Sequence, residues 1–203
     1  MTDGTSGVIS CFGSLGGAEP GRKMHGQGWR LARLLSFGFV LMAATVAGGR
    51  EVRKMEGVMI SSSLFARNGV IPVKYTCDGK NVSPPLRFEG VPAGARSLAL
   101  IMDDPDAPAG TWDHWVVWNI APATREIGEG SVPPGGIEGK NSWGRPGYGG
   151  PCPPSGVHRY VFRLYALDTL LNIPSSSTKR DLERAMHGHI LGMGELVGLY
   201  KRH

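Results

Sequence analysis

Three strand-length runs constrain this chain more than anything else in it: SLALIMD (97–103), DHWVVWNI (113–120) and HRYVFRLYAL (158–167). The first is continuously apolar. The other two are rich in β-branched and aromatic residues, and turn residues bound all three, as they bound strands. No helical pattern of crossover length separates them. The βαβ rhythm of a parallel sheet is therefore missing, and an antiparallel-rich sheet is expected. Composition agrees, since 31 Gly and 15 Pro in 203 residues imply many turns. One helix reads clearly, TKRDLERAMHGHI (178–190), with Thr178 and Asp181 as a capping pair and Leu182, Ala185 and Met186 as its apolar face. ELVGLYK (195–201) reads as a last strand. The Gly/Pro-rich connection 121–157 has no pattern of its own, and a connection that long in one domain is usually functional.

The first segment differs in kind. Residues 34–47, LLSFGFVLMAATVA, carry no charge, follow Arg30 and Arg33, and close on small residues. This is the pattern of a secretory signal peptide, too short to span a bilayer comfortably. Met24 would start a leader of ordinary length. The expected organisation is a leader over 1–47, a short linker over 48–57 and one domain over 58–203, exported to the periplasm or beyond. An uncleaved membrane anchor is the alternative. Export leaves Cys77 and Cys152 as an even pair in an oxidising compartment, which suits a disulfide; two free thiols is the other reading. The net charge of +5 includes no Lys/Arg run, so nucleic acid is not an expected partner.

The acidic segment DDPDAP (103–108) leaves the first strand directly after its apolar run. With period-two alternation, His114 shares a face with Val116 and Trp118, while Asp113 and Trp115 point the other way. His158 likewise lies with Tyr160, Phe162 and Leu164, opposite Arg159 and Arg163. Both histidines fall at strand starts. If these ends gather, two imidazoles, a phenol and Asp104 line a pocket with aromatic walls, the make-up of a small-ligand site. Imidazole and phenol groups and the backbone N–H groups of the Gly-rich loop could hold an anion, with a carboxylate orienting a histidine. Asp104, Asp106, His114 and His158 form no compact metal motif, and no metal or other cofactor is expected. No G-x-S-x-G elbow is present, which leaves only a weak hydrolase using the His/Asp cluster as an enzymatic alternative.

Taken together, YTCDGKNVSPPLRF (75–88), SLALIMDDPDAP (97–108), WDHWVVWNI (112–120), GYGGPCPPSGVHRYVFRLYALD (147–168) and AMHGHILGMGELVGLYKR (185–202) resemble the phosphatidylethanolamine-binding protein family in its bacterial Raf-kinase-inhibitor-like branch. The resemblance implies a mainly β fold, with a large antiparallel-rich sheet packed on a smaller one and one or two peripheral helices. It also implies a non-enzymatic pocket for phosphate-like groups, formed here by Asp104, Pro108, Trp112, His114, Cys152, Pro153, His158 and Tyr160, with Asp106 and Arg159 as supporting structure. Eukaryotic relatives carry a C-terminal helix beside the pocket; none is expected here after the last strand, and a more open pocket is expected with it. The expected ligand is a small anionic or phosphorylated group, such as a phospholipid head group. The same pocket in an inhibitor of a protease or kinase is the alternative. The sequence leaves oligomeric state open, a dimer included.

Overall fold

A computed structural model describes residues 57–202. The expected leader and the Met24 start lie outside the described residues. The chain runs through β1 (Met59–Ser61), β2 (Gly69–Val70), β3 (Leu86–Glu89), β4 (Ser97–Asp104), β5 (Trp112–Ile120), β6 (Glu126–Ile127), β7 (Ile137–Glu138), β8 (His158–Leu167), α1 (Lys179–Met186) and β9 (Ile190–Tyr200). A six-stranded sheet has the order β2-β9-β8-β4-β5-β7, and a three-stranded sheet the order β1-β3-β6. Every pairing is antiparallel except that of β2 with the end of β9. The fold is thus the mainly β, two-sheet architecture expected.

β4, inside the large sheet, is buried on both sides, which is why it reads as an unbroken apolar run rather than an alternation. Leu98, Leu100 and Met102 of β4 face the small sheet, packing with Trp115, Phe162 and Leu164 against Ile60, Leu86 and Phe88. Ala99 and Ile101 face the other way, with Val116 and Trp118, beneath Leu182 and Met186 of α1. α1 begins as its sequence dictates: the backbone N–H and hydroxyl of Thr178 both donate to the Asp181 carboxylate, at 3.0 and 2.8 Å.

Two boundaries differ from the sequence reading. α1 stops at Met186 because Gly188 takes a left-handed conformation (φ +84°) that ends the helix. His189 and Ile190 then turn into β9, which starts earlier than the expected 195–201 strand because Gly192 and Gly194 interrupt its apolar pattern. Gly194 is there for space: a Cβ would lie 2.3 Å from the Val58 carbonyl oxygen. The 121–157 connection is also less bare than its composition suggests, since it contributes β6 and β7.

The largest difference lies in β5. Met102 pairs with Trp115, but Asp103 pairs with Asp113, so His114 is an extra residue in the ladder. This β-bulge breaks the alternation. Trp115 faces the small sheet with Met102, while Asp113 faces α1, so the two do not share a face as period two required. Nor does His114 share the α1 face of Val116 and Trp118; it is turned back toward Tyr160.

Candidate functional site

At the end of β4 the chain must turn, and Asp104 makes the turn itself. Its Oδ1 accepts the Asp106 N–H at 2.9 Å, a local bond that aspartate favours at such positions. Its Oδ2 lies 2.8 Å from Nδ1 of His158, at the first residue of β8. Both groups are almost wholly buried. Asp106 points outward and takes a bidentate grip from Arg159, at 2.6 and 2.9 Å, which holds its carboxyl down at about 2. Asp106 and Arg159, expected as supporting structure, thus form a surface pair that ties the turn to β8.

His114 is placed by the bulge and fixed by the loop that follows β7. Its Nδ1 donates to the Gly149 carbonyl at 2.6 Å, and its own carbonyl accepts the Gly149 N–H at 2.9 Å. A Cβ at 149 would lie 2.3 Å from the Trp143 ring, so any larger residue there would push that ring aside. Burial pushes the His114 pKa down, with the Gly149 carbonyl and Asp104 opposing it. In the neutral ring Nδ1 therefore carries the proton, and Nε2 is left with a lone pair. The imidazole stands edge-on to Tyr160, to Trp143 and through it to Trp112.

Around these groups lies a cavity of about 400 Å³, lined by Asp104, Ala107, Pro108, Ala109, Trp112, His114, Trp143, Cys152 and Pro154. Cys152 is joined to Cys77 by a disulfide, with Cα atoms 5.4 Å apart. Hydrogen bonds from Cys77 N to the Pro151 carbonyl, Gly150 N to Asn81 and the Tyr148 hydroxyl to the Tyr75 carbonyl tie the same two loops. Tyr160 lies directly behind this wall. Its hydroxyl is fully buried without a hydrogen-bond partner, although the Asp104 carboxylate and the Cys152 backbone are beside it. Burial, with Asp104 adding to it, pushes the phenol pKa far up, so it stays a donor at any ordinary pH.

The eight ligand-binding residues expected from sequence thus fall in two layers. Asp104, Pro108, Trp112, His114 and Cys152 line the cavity, while His158 and Tyr160 stand behind the lining. Pro153 is buried, and Pro154 takes the place expected for it. The expected roles of His158 and Asp104 are exchanged in position: the carboxylate is on the wall and the imidazole supports it. Trp143 lies in NSWGRPGYGG, where no strand pattern places it. It is held there by Asn141, whose side-chain Oδ1 accepts the backbone N–H of Trp143 at 3.0 Å. Among the described residues no group of three or more His, Cys, Asp or Glu side chains is arranged to hold a metal.

This two-sheet fold with its rim pocket has clear relatives. The family model for phosphatidylethanolamine-binding protein matches residues 61–201. A crystal structure of a phosphatidylethanolamine-binding protein homologue from Chlamydia trachomatis is 41% identical, covers 72% of this chain and 99% of its own, and superposes with a TM-score of 0.70. Escherichia coli YbcL, described as a member of the mammalian family, is 28% identical over the same shares with a TM-score of 0.68. A UPF0098 protein from Methanothermobacter thermautotrophicus is 53% identical over 148 residues, 70% of this chain and 98% of that one. The chain belongs to the phosphatidylethanolamine-binding protein family. Within it, the chain is similar to archaeal and bacterial UPF0098 proteins.

Proposed function

We propose that this is an exported, non-enzymatic binding protein whose pocket takes a small phosphate-bearing group, and that a zwitterionic head group of the phosphoethanolamine kind suits it better than phosphate alone. The observation that carries this reading is the make-up of the pocket floor. His114 presents to the cavity a nitrogen that becomes a donor when protonated, while the Tyr160 hydroxyl lies behind the lining, beside the Asp104 carboxylate. The protonated imidazole can serve a phosphate oxygen. The lining holds no Lys or Arg, yet includes the Asp104 carboxylate and two tryptophans. An anion bound there is best accompanied by its own cation, because carboxylate and indole faces both favour an ammonium group. The lining offers no serine, threonine or free thiol as a nucleophile, which favours binding over hydrolysis. The Cys77–Cys152 disulfide fits an oxidising compartment and so supports export.

A second reading has one observation behind it. Val70, Val73 and Val157 are exposed around an apolar groove of about 410 Å³ that also includes Leu199 and Tyr200. Clustered exposed apolar residues favour a protein partner, as an inhibitor or regulator of a protease or kinase would require.

Calorimetric titration of the protein with phosphate, phosphoethanolamine and ethanolamine, at neutral and mildly acidic pH, tests the first reading. Phosphoethanolamine is expected to bind with the highest affinity. Phosphate affinity is expected to rise as pH falls, because the anion draws a proton onto His114. The absence of saturable binding by all three would overturn the reading.

A further inference from the structure

The side of the sheet opposite the pocket carries charge that the pocket does not use. Asp103 and Asp113 are directly opposed across β4 and β5, and both point toward α1. Like charges in that position push strands apart. Asp103 is fully buried, and burial pushes the Asp113 pKa up against the pull of Lys179. Lys179 reaches both carboxylates: its ammonium contacts Asp103 Oδ2 and lies 3.4 Å from Asp113 Oδ1, with Glu183 at 3.9 Å. Arg163 also binds Asp103, at 2.9 Å, but its other partner is Glu195, on β9 and away from Asp113. The lysine sits at the first position of α1, where the helix dipole disfavours a cation. The carboxylate pair accounts for its being there.

What this contact holds is the register. Asp113 opposes Asp103 only because His114 bulges out. Without the bulge His114 would oppose Asp103 and face α1, since a one-residue slip exchanges the faces of a strand. Asp113 also anchors the pocket's aromatic wall: its N–H donates to Ser142 Oγ at 2.8 Å, its carbonyl accepts the Ser142 N–H at 2.9 Å, and Trp143 follows. We infer that Lys179 is a positioning residue for the pocket, clamping Asp103 and Asp113 together on the far face so that the His114 bulge and the Trp143 turn are held on the near one. This rests on the pocket being the binding site, but the clamp itself is a separate physical claim.

The test compares Lys179→Met, Lys179→Arg and a triple variant, Lys179→Met with Asp103→Asn and Asp113→Asn. Each is read by the imidazole NMR signals of His114 and by titration with phosphate and phosphoethanolamine. Lys179→Met should displace or broaden the His114 signals and weaken binding about tenfold, the scale of one lost bond to a charged group. Lys179→Arg should keep most of both. The triple variant should recover the His114 spectrum, because facing amides do not repel. Unchanged His114 signals in Lys179→Met would overturn the inference, as would a triple variant as displaced as the single one. If Lys179→Met does not fold, the triple variant decides alone: a native His114 spectrum supports the clamp, and a displaced one overturns it. If the wild-type protein binds neither probe, the reading of the pocket fails while the spectra still judge the clamp.

Discussion

Asp103 and Asp104 are consecutive, equally buried, and on opposite faces of one strand. Asp103 meets two cations, Lys179 and Arg163. Asp104 meets an imidazole and a backbone N–H and has a cavity at its side. One face spends its carboxylate on holding strands together. The other leaves polar capacity unspent, in the orphaned Tyr160 hydroxyl and the free nitrogen of His114. Fully satisfied buried groups hold structure, whereas unsatisfied ones beside a cavity are where a ligand would gain most.

The contrast can be broken most forcefully at Asp103. Asp103→Ala leaves Lys179 short of its nearest partner and should destabilise the fold by about 3–5 kcal/mol, the cost of breaking a buried pair. Urea denaturation would measure it. Tyr160→Phe should do the reverse of a usual core lesion. Stability should stay level or rise by about 1 kcal/mol, because an unsatisfied buried hydroxyl is removed, while phosphate affinity, which the hydroxyl touches only through Asp104, changes by less than about tenfold. Equal losses in both would place Tyr160 in the structural class with Asp103.

His114 sharpens the comparison through pH. Its folded pKa is depressed by burial, so its contribution to stability is present above the unfolded value of about 6.5 and is lost as pH falls toward the folded one. Melting temperature should therefore drop between neutral and mildly acidic pH, and His114→Gln should flatten that slope. Phosphate should steepen the opposite trend by stabilising the protonated ring. Asp106 should show the smallest effect. Its exposed pair with Arg159 is screened by solvent, and its contribution, present above the unfolded value of about 4, fades as pH falls toward about 2. Asp106→Asn should leave melting at neutral pH close to that of the wild type.

The strands, the helix start and the strand-end site were legible because they rest on local pattern: alternation, caps and turn residues. Asp104 ends β4, Trp112 opens β5 with His114 two residues on, and Pro108 stands in the turn between them, so strand and turn pattern bring these four to the cavity; Cys152 stands in the loop before β8. The bulge was not legible. Nothing in DHWVVWNI marks one residue as extra; the register follows from Asp103, Asp113 and a lysine 66 positions beyond Asp113. Alternation consequently put His114 on the wrong face while placing it at the right end of the strand. Trp143 escaped for a related reason, since its position comes from Asn141, Ser142 and Gly149 across a loop rather than from any periodicity. Pro153 and Pro154 differ only in which ring faces inward, and two adjacent prolines carry no signal for that.

The most direct test of the account is the imidazole NMR spectrum of His114 during titration with phosphoethanolamine. The account predicts one protonated nitrogen, Nδ1, in the free protein at neutral pH, and a saturable shift at Nε2 as ligand is added. Saturation without any change at His114, or a free ring already protonated at both nitrogens, would contradict it.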